Sequence, residues 1–397
     1  MNLRASSLVH IVLFVFVGLN GFLEFLGIPT AATKFLVLGL ILCILFIHGL
    51  ETRSKLHNQI FLIFVIIYIL FNIHIFRSSS LILGVSLFQI LSPLILYYLL
   101  ESLTSYSPRI ISSRILIFFL ALQITFALIK FIFVGQNEGQ GIGTVSIQAG
   151  AVSAYVVVSF CLTAIVLNVN KQTAFLILGF ALLFAFINEK RIGVLLIGFF
   201  AFIIFSDSRV YKFKIFRYFL AIPLAIAFGY VGSVALPSLL EGRSSVLQIF
   251  SRITEYLLLV NQNGEAIGRL AGLTQTVLSL EGYEQFIFGK GPSEFLSSSV
   301  AGLTNNTNIG FNAVGSTILI GRFGFFGLAV VLGLMLLLLK RQRGRASRLL
   351  VFYMIFDIMI YSSGFFLSYL GVYLLLLFRS IEINQSIDLQ KQRMSEI

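Results

Sequence analysis

Residues 113–134 read SRILIFFLALQITFALIKFIFV. Apart from Arg114 near the start and Lys130 near the end, this stretch is apolar over the roughly 20 residues that a helix needs to cross hydrocarbon. Working outward, comparable runs fall at 8–26, 31–50, 58–76, 80–100, 145–168, 172–188, 191–206, 214–235 and 311–339, and a longer one at 349–378. Ser362-Ser363-Gly364 in the middle of that last run points to two short spans in a hairpin, giving twelve; one long tilted helix, giving eleven, is the competing count. No ten-residue alternation of apolar and polar positions occurs, which excludes a β-barrel. The expected fold is therefore an all-α polytopic membrane helix bundle.

Composition agrees. Hydrophobic residues make up 58% of the 397 and charged residues 11%, and the mean hydropathy is +0.99; soluble domains run near about 25% charged. The first apolar run has no small-residue cleavage site and reads as a retained span. Cys43 and Cys161 both lie inside apolar runs and read as small buried hydrophobes. Trp is absent, so Phe and Tyr take over interfacial anchoring.

The net charge of +12 is explained by its distribution rather than by a nucleic-acid partner. With the N-terminus inside, 18 of the 28 basic residues fall in cytoplasmic segments, including Lys171, the cluster Lys340 to Arg348, and Arg379. The short outer loops hold only Lys34, Arg77, Lys190 and Arg191. The positive-inside rule then places both termini in the cytoplasm.

One connection departs from the pattern. Residues 236–310 form a long polar excursion facing outward, between a nine-span N-terminal part (1–235) and the C-terminal spans (311–379); 380–397 is a cytoplasmic tail. Long loops without structure of their own are uncommon unless functional. Val246, Ile249, Phe250, Ile253, Leu257 and Val260 recur at helical spacing within 243–260, a basic amphipathic segment suited to a membrane surface. A second helix is expected over 265–280. Ile267, Leu270, Ala271, Thr274, Val277 and Leu278 form its apolar face, and Arg269, Gly272, Thr276 and Ser279 its polar one. Gly139-x-Gly141-x-Gly143 follows no strand and reads as a flexible outer loop. Asp357, inside a late span, should pair with another buried polar group.

Motif failures narrow the chemistry. The chain has three Asp (207, 357 and 388), none on the outer side, and its four His all precede residue 75. No outer Asp-x-Asp metal site can form, and no metal or other cofactor is expected. Gly282…Gly289-Lys290 has the wrong spacing for a phosphate-binding loop.

What remains has an order. Glu189-Lys190-Arg191-Ile192-Gly193 opens a span; Gly268-Arg269 is followed by Phe288-Gly289-Lys290-Gly291-Pro292-Ser293-Glu294-Phe295; Asn312 precedes Gly321-Arg322-Phe323-Gly324-Phe325-Phe326-Gly327. In order and spacing these resemble the O-antigen, capsule and exopolysaccharide repeat-unit polymerases (Wzy type) of the wider O-antigen polymerase/ligase superfamily, over roughly residues 185–335. Ser293 stands where the family stretch has its third Gly. Asn312-Ala313 stands where ligases often carry a His, which favours polymerase over ligase.

The resemblance implies a GT-C-like glycosyltransferase in the bacterial cytoplasmic membrane. Its donor and acceptor would be undecaprenyl-diphosphate-linked oligosaccharides, with a chain-length regulator among its partners besides membrane lipids. Transfer would be inverting and metal-independent. Arg191 and Arg269 would clamp the departing diphosphate, since Arg grips phosphate oxygens in a planar fork. Glu189 would serve as general base. Arg243, Arg252, Lys290, Asn312 and Arg322 would bind substrate. Ligase-type transfer to an acceptor and a polysaccharide transporter or flippase are the alternatives.

Overall fold

The computed structural model describes residues 11–28, 30–47, 80–106, 113–134, 143–145, 150–188, 191–205, 269–291, 315–362 and 364–395, and among them every regular element is helical. A π-helical turn at Phe14–Gly18 leads into α1 (Asn20–Phe25) and α2 (Thr30–Ile47). Then come α3 (Ser80–Tyr106), α4 (Ser113–Val134), α5 (Gly150–Val166), α6 (Lys171–Ile187) and α7 (Arg191–Phe205). The C-terminal part holds α8 (Arg269–Leu278), α9 (Gly282–Phe288), α10 (Gly315–Arg341) and α11 (Arg345–Phe356). A second π-helical turn, Asp357–Tyr361, precedes α12 (Gly364–Leu367) and α13 (Leu370–Ser395). The helices lie on apolar runs or in the excursion, except that α13 continues past the end of its run at 378 through the expected tail to Ser395; the expected spans at 58–76 and 214–235 and the amphipathic segment 243–260 lie outside the described residues. Among the described residues two helices, Ser113–Phe133 and Gly315–Arg341, are long and apolar enough to cross a membrane, and five shorter ones are apolar.

The core is built around α5. Val152 to Ala164 are buried without interruption, as expected of a helix apolar all round. It packs on α4, α6, α7, α11 and α13, and Leu370 to Phe378 of α13 are equally buried. The hairpin expected in the last apolar run is present: α11 packs against α13, and Glu382 midway along α13 accepts from the Ala346 N–H at 2.7 Å and from the Ser347 hydroxyl at 2.5 Å. Glu382 thereby caps the start of α11, whose own cap residue Gly344 supplies no side-chain bond.

Hydrogen bonds define the two ends of the bundle. At one end Gln342 donates to the Tyr97 hydroxyl at 2.9 Å, as does Arg379; Arg345 donates to the Ile203 carbonyl at 3.2 Å, and Gln385 to that of Val166 at 2.7 Å. Every cation in this group belongs to a segment that the charge count assigned to one side. At the other end the Gly315 N–H donates to the Ser362 carbonyl at 3.0 Å and the Ser316 hydroxyl to Met359 at 2.9 Å. The start of α10 is thus pinned to the second π-turn.

Asp357 opens that turn and is fully buried. It accepts from the Tyr155 hydroxyl at 3.1 Å, from the Phe365 N–H at 2.9 Å and from the Ser362 hydroxyl. The expected buried partner is therefore a set of three donors. Replacing Asp357 with Ala strips those donors, at about 1–3 kcal/mol for each one left unsatisfied. Thermal unfolding of the detergent-solubilised protein should fall clearly for Asp357→Ala and less for Asp357→Asn, which keeps an acceptor; equal stability of all three forms would contradict this account.

Three expectations need correction. Gly143 to Val145 are buried, not a flexible loop. Thr144 donates to the Gly18 carbonyl at 2.6 Å, its carbonyl accepts from the Gly21 N–H, and Gln123 bonds both its N–H and its hydroxyl. Lys130 donates to the Gly143 carbonyl at 3.0 Å. The segment enters the bundle beside Gly143, where a Cβ would collide with Gln123. Non-helical backbone is tolerated at such depth when its polar groups are satisfied by protein. On α8 the buried face carries Leu273, Thr276 and Val277, while Thr274 and Leu278 are exposed. The Thr276 hydroxyl bonds the Gly272 carbonyl at 2.8 Å, so burying it leaves no polar group unsatisfied. Finally, Cys161 is buried but Cys43 is exposed on the outer surface of α2.

Candidate functional site

The described part of the excursion, residues 269–291, does not stand clear of the bundle. Both α8 and α9 pack on α10, and α8 also touches the second π-turn. At the end of α9 the chain turns through Gly289 (φ 79°, ψ −176°) and Gly291 (φ 83°). Opposite it α10 breaks at Gly324 (φ 66°, ψ −172°). These are left-handed conformations that glycine adopts readily. They bring two backbones into direct contact: a Cβ on Gly289 would sit 2.6 Å from backbone atoms of Arg322, Phe323 and Gly324, and one on Gly324 would strike Ile287 and Phe288. The Lys290 N–H donates to the Gly321 carbonyl at 2.9 Å. Phe286 stacks on Phe325 with centroids 4.4 Å apart, and Phe288 meets Phe326 edge-on at 5.9 Å.

Phe288-Gly289-Lys290-Gly291 is thereby locked against Gly321-Arg322-Phe323-Gly324. Lys290 and Arg322 emerge from the same junction, both half-buried, with Arg322 Nε enclosed.

Two further expected residues lie on helices, Arg191 on α7 and Arg269 on α8, each directly following residues outside the described ones. Because Ile203 of α7 lies with Arg345, Arg191 belongs to the opposite end, the end that carries the junction. Asn188, one turn before Arg191, is buried; its amide donates to Phe184 at 2.8 Å and its Oδ1 meets no donor among the described residues. Gly193 lets α7 approach α6 closely at this point. Glu189, Arg243, Arg252 and Asn312 lie outside the described residues.

No family model, curated protein or solved structure matches this chain. The site is therefore read from its chemistry. Among the described residues no three of His, Cys, Asp and Glu gather where a metal could be held, and Glu281 and Glu284 are exposed on either side of the α9 start. The arrangement offers cations, which suit an anion.

Lys34 is the residue that sequence reasoning misplaced. Counted among short-loop cations, it is only 6% exposed. Its ammonium donates to the Phe366 carbonyl and lies 5.8 Å from the centre of the Tyr369 ring. The signal was its position inside the apolar run 31–50, where a charge is costly and its surroundings must compensate it.

Proposed function

We propose that the chain is a multi-pass glycosyltransferase of the bacterial cytoplasmic membrane, with about twelve spans and both termini cytoplasmic. It joins undecaprenyl-diphosphate-linked oligosaccharide repeat units into a surface polysaccharide on the outer face, as a polymerase of the Wzy type. The observation that carries this reading is the junction: two of the stretches on which the resemblance rests, Phe288–Gly291 and Gly321–Gly324, meet backbone to backbone at the positions that hold Lys290 and Arg322. The membrane setting is supported by the large apolar side chains on the outer surface of the bundle, such as Ile132, Phe133, Phe175, Leu176 and Phe186, which water would not tolerate as a continuous cover.

In this mechanism the acceptor hydroxyl attacks the anomeric carbon of the donor. The new C–O bond forms as the bond to the diphosphate breaks, with inversion, and Glu189 receives the hydroxyl proton. Charge develops on the leaving diphosphate, and fixed cations there stabilise the transition state more than the ground state. Arg191 and Arg269 fill that role; Arg243, Arg252, Lys290, Asn312 and Arg322 position the substrates.

The deciding experiment supplies lipid-linked repeat units to vesicles holding the purified protein. A ladder of repeat-length products supports polymerisation. Transfer of preformed polymer to an acceptor without a ladder indicates a ligase, and movement of the lipid across the bilayer without new glycosidic bonds indicates a transporter. Turnover in the same assay should persist in excess EDTA. Complete loss, restored by Mg²⁺ or Mn²⁺, would mean that the glutamates at 281, 284 and 294 form a metal site after all.

A further inference from the structure

We propose that α9 is an interfacial helix whose apolar face enters the outer leaflet of the bilayer at headgroup depth. The inference rests on the membrane setting of the preceding reading and is independent of the glycosyl-transfer chemistry. Tyr283, Phe286 and Ile287 recur at spacings of three and four and share one face of α9. All three are exposed, Tyr283 by 88%. Glu284 and Gln285 take the polar side, and Glu284 is exposed as well. None of the seven residues of α9 is buried. An isolated helix of that length is marginal in water, so the apolar face needs a second surface besides α10.

Its depth identifies that surface. Residues 325–339 of α10 carry no charged or hydrogen-bonding side chain, and Lys340 and Arg341 follow them. At helical rise Gly324 stands about 24 Å from Lys340, against about 30 Å of hydrocarbon. α11 and the second π-turn climb from Arg345 to Ser362 over nearly the same rise, and the Ser362 carbonyl accepts the Gly315 N–H at 3.0 Å. With Lys340, Arg341 and Arg345 at the cytoplasmic boundary, the contact of Gly289 with Gly324 lies just inside the outer one. Phe286 stacks on Phe325, the first residue of the apolar stretch, and Phe288 meets Phe326, itself 38% exposed. The apolar face of α9 is thus continuous with the exposed apolar side of α10. Interfacial helices bury such a face about 5–10 Å into the headgroup boundary, with aromatic rings as anchors, and a chain without Trp has Tyr and Phe for that task. Anchored so, α9 holds the junction of Lys290 and Arg322 at the depth of the lipid phosphates.

Because the chain has no Trp, each introduced Trp is a single fluorophore. The full chain is reconstituted in phosphatidylethanolamine–phosphatidylglycerol vesicles that carry a lipid quencher at a chosen chain depth, with iodide as the aqueous quencher on both sides. Tyr283→Trp should emit blue-shifted light and resist iodide. Lipid labelled near the headgroup should quench it more than lipid labelled at the chain end. Glu284→Trp, on the polar side, should be quenched by iodide and little by either lipid. Phe180→Trp, on the exposed surface midway along α6, should prefer the chain-end label. If Tyr283→Trp does not accumulate, Ile287→Trp replaces it on the same face. Lipid quenching of Phe180→Trp beside an iodide-accessible Tyr283→Trp overturns this proposal alone and leaves α9 in water. A Tyr283→Trp shielded from iodide and from both lipids also overturns it, and indicates a protein cover, from this chain or a second copy. No lipid quenching of Phe180→Trp overturns the membrane reading and this proposal with it. Headgroup-depth quenching of Tyr283→Trp in a preparation that makes no polymer would sink the polymerase reading and leave this one standing.

Discussion

Gly324→Ala should unlock the junction between α9 and α10. The backbone there (φ 66°, ψ −172°) lies in a region open essentially to glycine, where another residue costs about 1–3 kcal/mol. The added methyl would also strike the Ile287 carbonyl, which is main chain and cannot rotate away. Gly289→Ala meets the same obstacle from the other side, 2.6 Å from the Arg322 and Phe323 backbone. Both variants should insert and accumulate, because the long apolar part of α10 after Gly324 is untouched. Both should become sensitive to protease within residues 281–291 and lose polymer synthesis. Gly333→Ala on the same helix is the control, since a Cβ there meets nothing within 4 Å; it should match the wild type or gain about 0.5–1 kcal/mol from helix propensity. Wild-type protease resistance in Gly324→Ala would refute the interlock.

The second large effect concerns the proposed clamp. Arg191→Ala or Arg269→Ala should abolish polymer formation while the protein still reaches the membrane. Each removes a charge-assisted contact worth about 1.5–3 kcal/mol in binding, and more where the contact tightens as the diphosphate departs. Lysine at either position should rescue only partly, because it cannot present a planar fork. Thermal unfolding of both Ala variants in detergent should match the wild type. That separates loss of chemistry from loss of fold. Normal polymer from both Ala variants would remove these residues from the mechanism.

Much of the helical plan could be read from the chain because apolar length is a one-dimensional property. The runs at 113–134, 172–188 and 191–206 coincide with helices to within a residue or two, and Ser362-Ser363-Gly364 marked a real hairpin. What could not be read depends on neighbours distant in sequence. Gly143 looks like loop glycine until Gln123 and Gly18 are beside it. Thr276 looks polar until its hydroxyl turns back on Gly272. The glycines at 289 and 324 were noticed as motif letters, yet no local pattern announces that each exists to admit the other's backbone. For the site, the sequence nominated Lys290 and Arg322 separately, and only the folded chain joins them.

The central helix α5 has a consequence for how the chain is made. Under the membrane reading it has no face left for lipid, so it cannot rest as a finished span when it first leaves the ribosome. Its Tyr155 hydroxyl must wait for Asp357, 202 residues further along, and the surface it shows to α13 waits longer still. Between those moments the nascent protein holds a span with an unsatisfied phenol and no permanent neighbours on one flank. The last hairpin therefore acts as a keystone for assembly, and a chain cut short before residue 345 should be recognised by the cell's membrane quality control as unfinished, however complete its earlier spans.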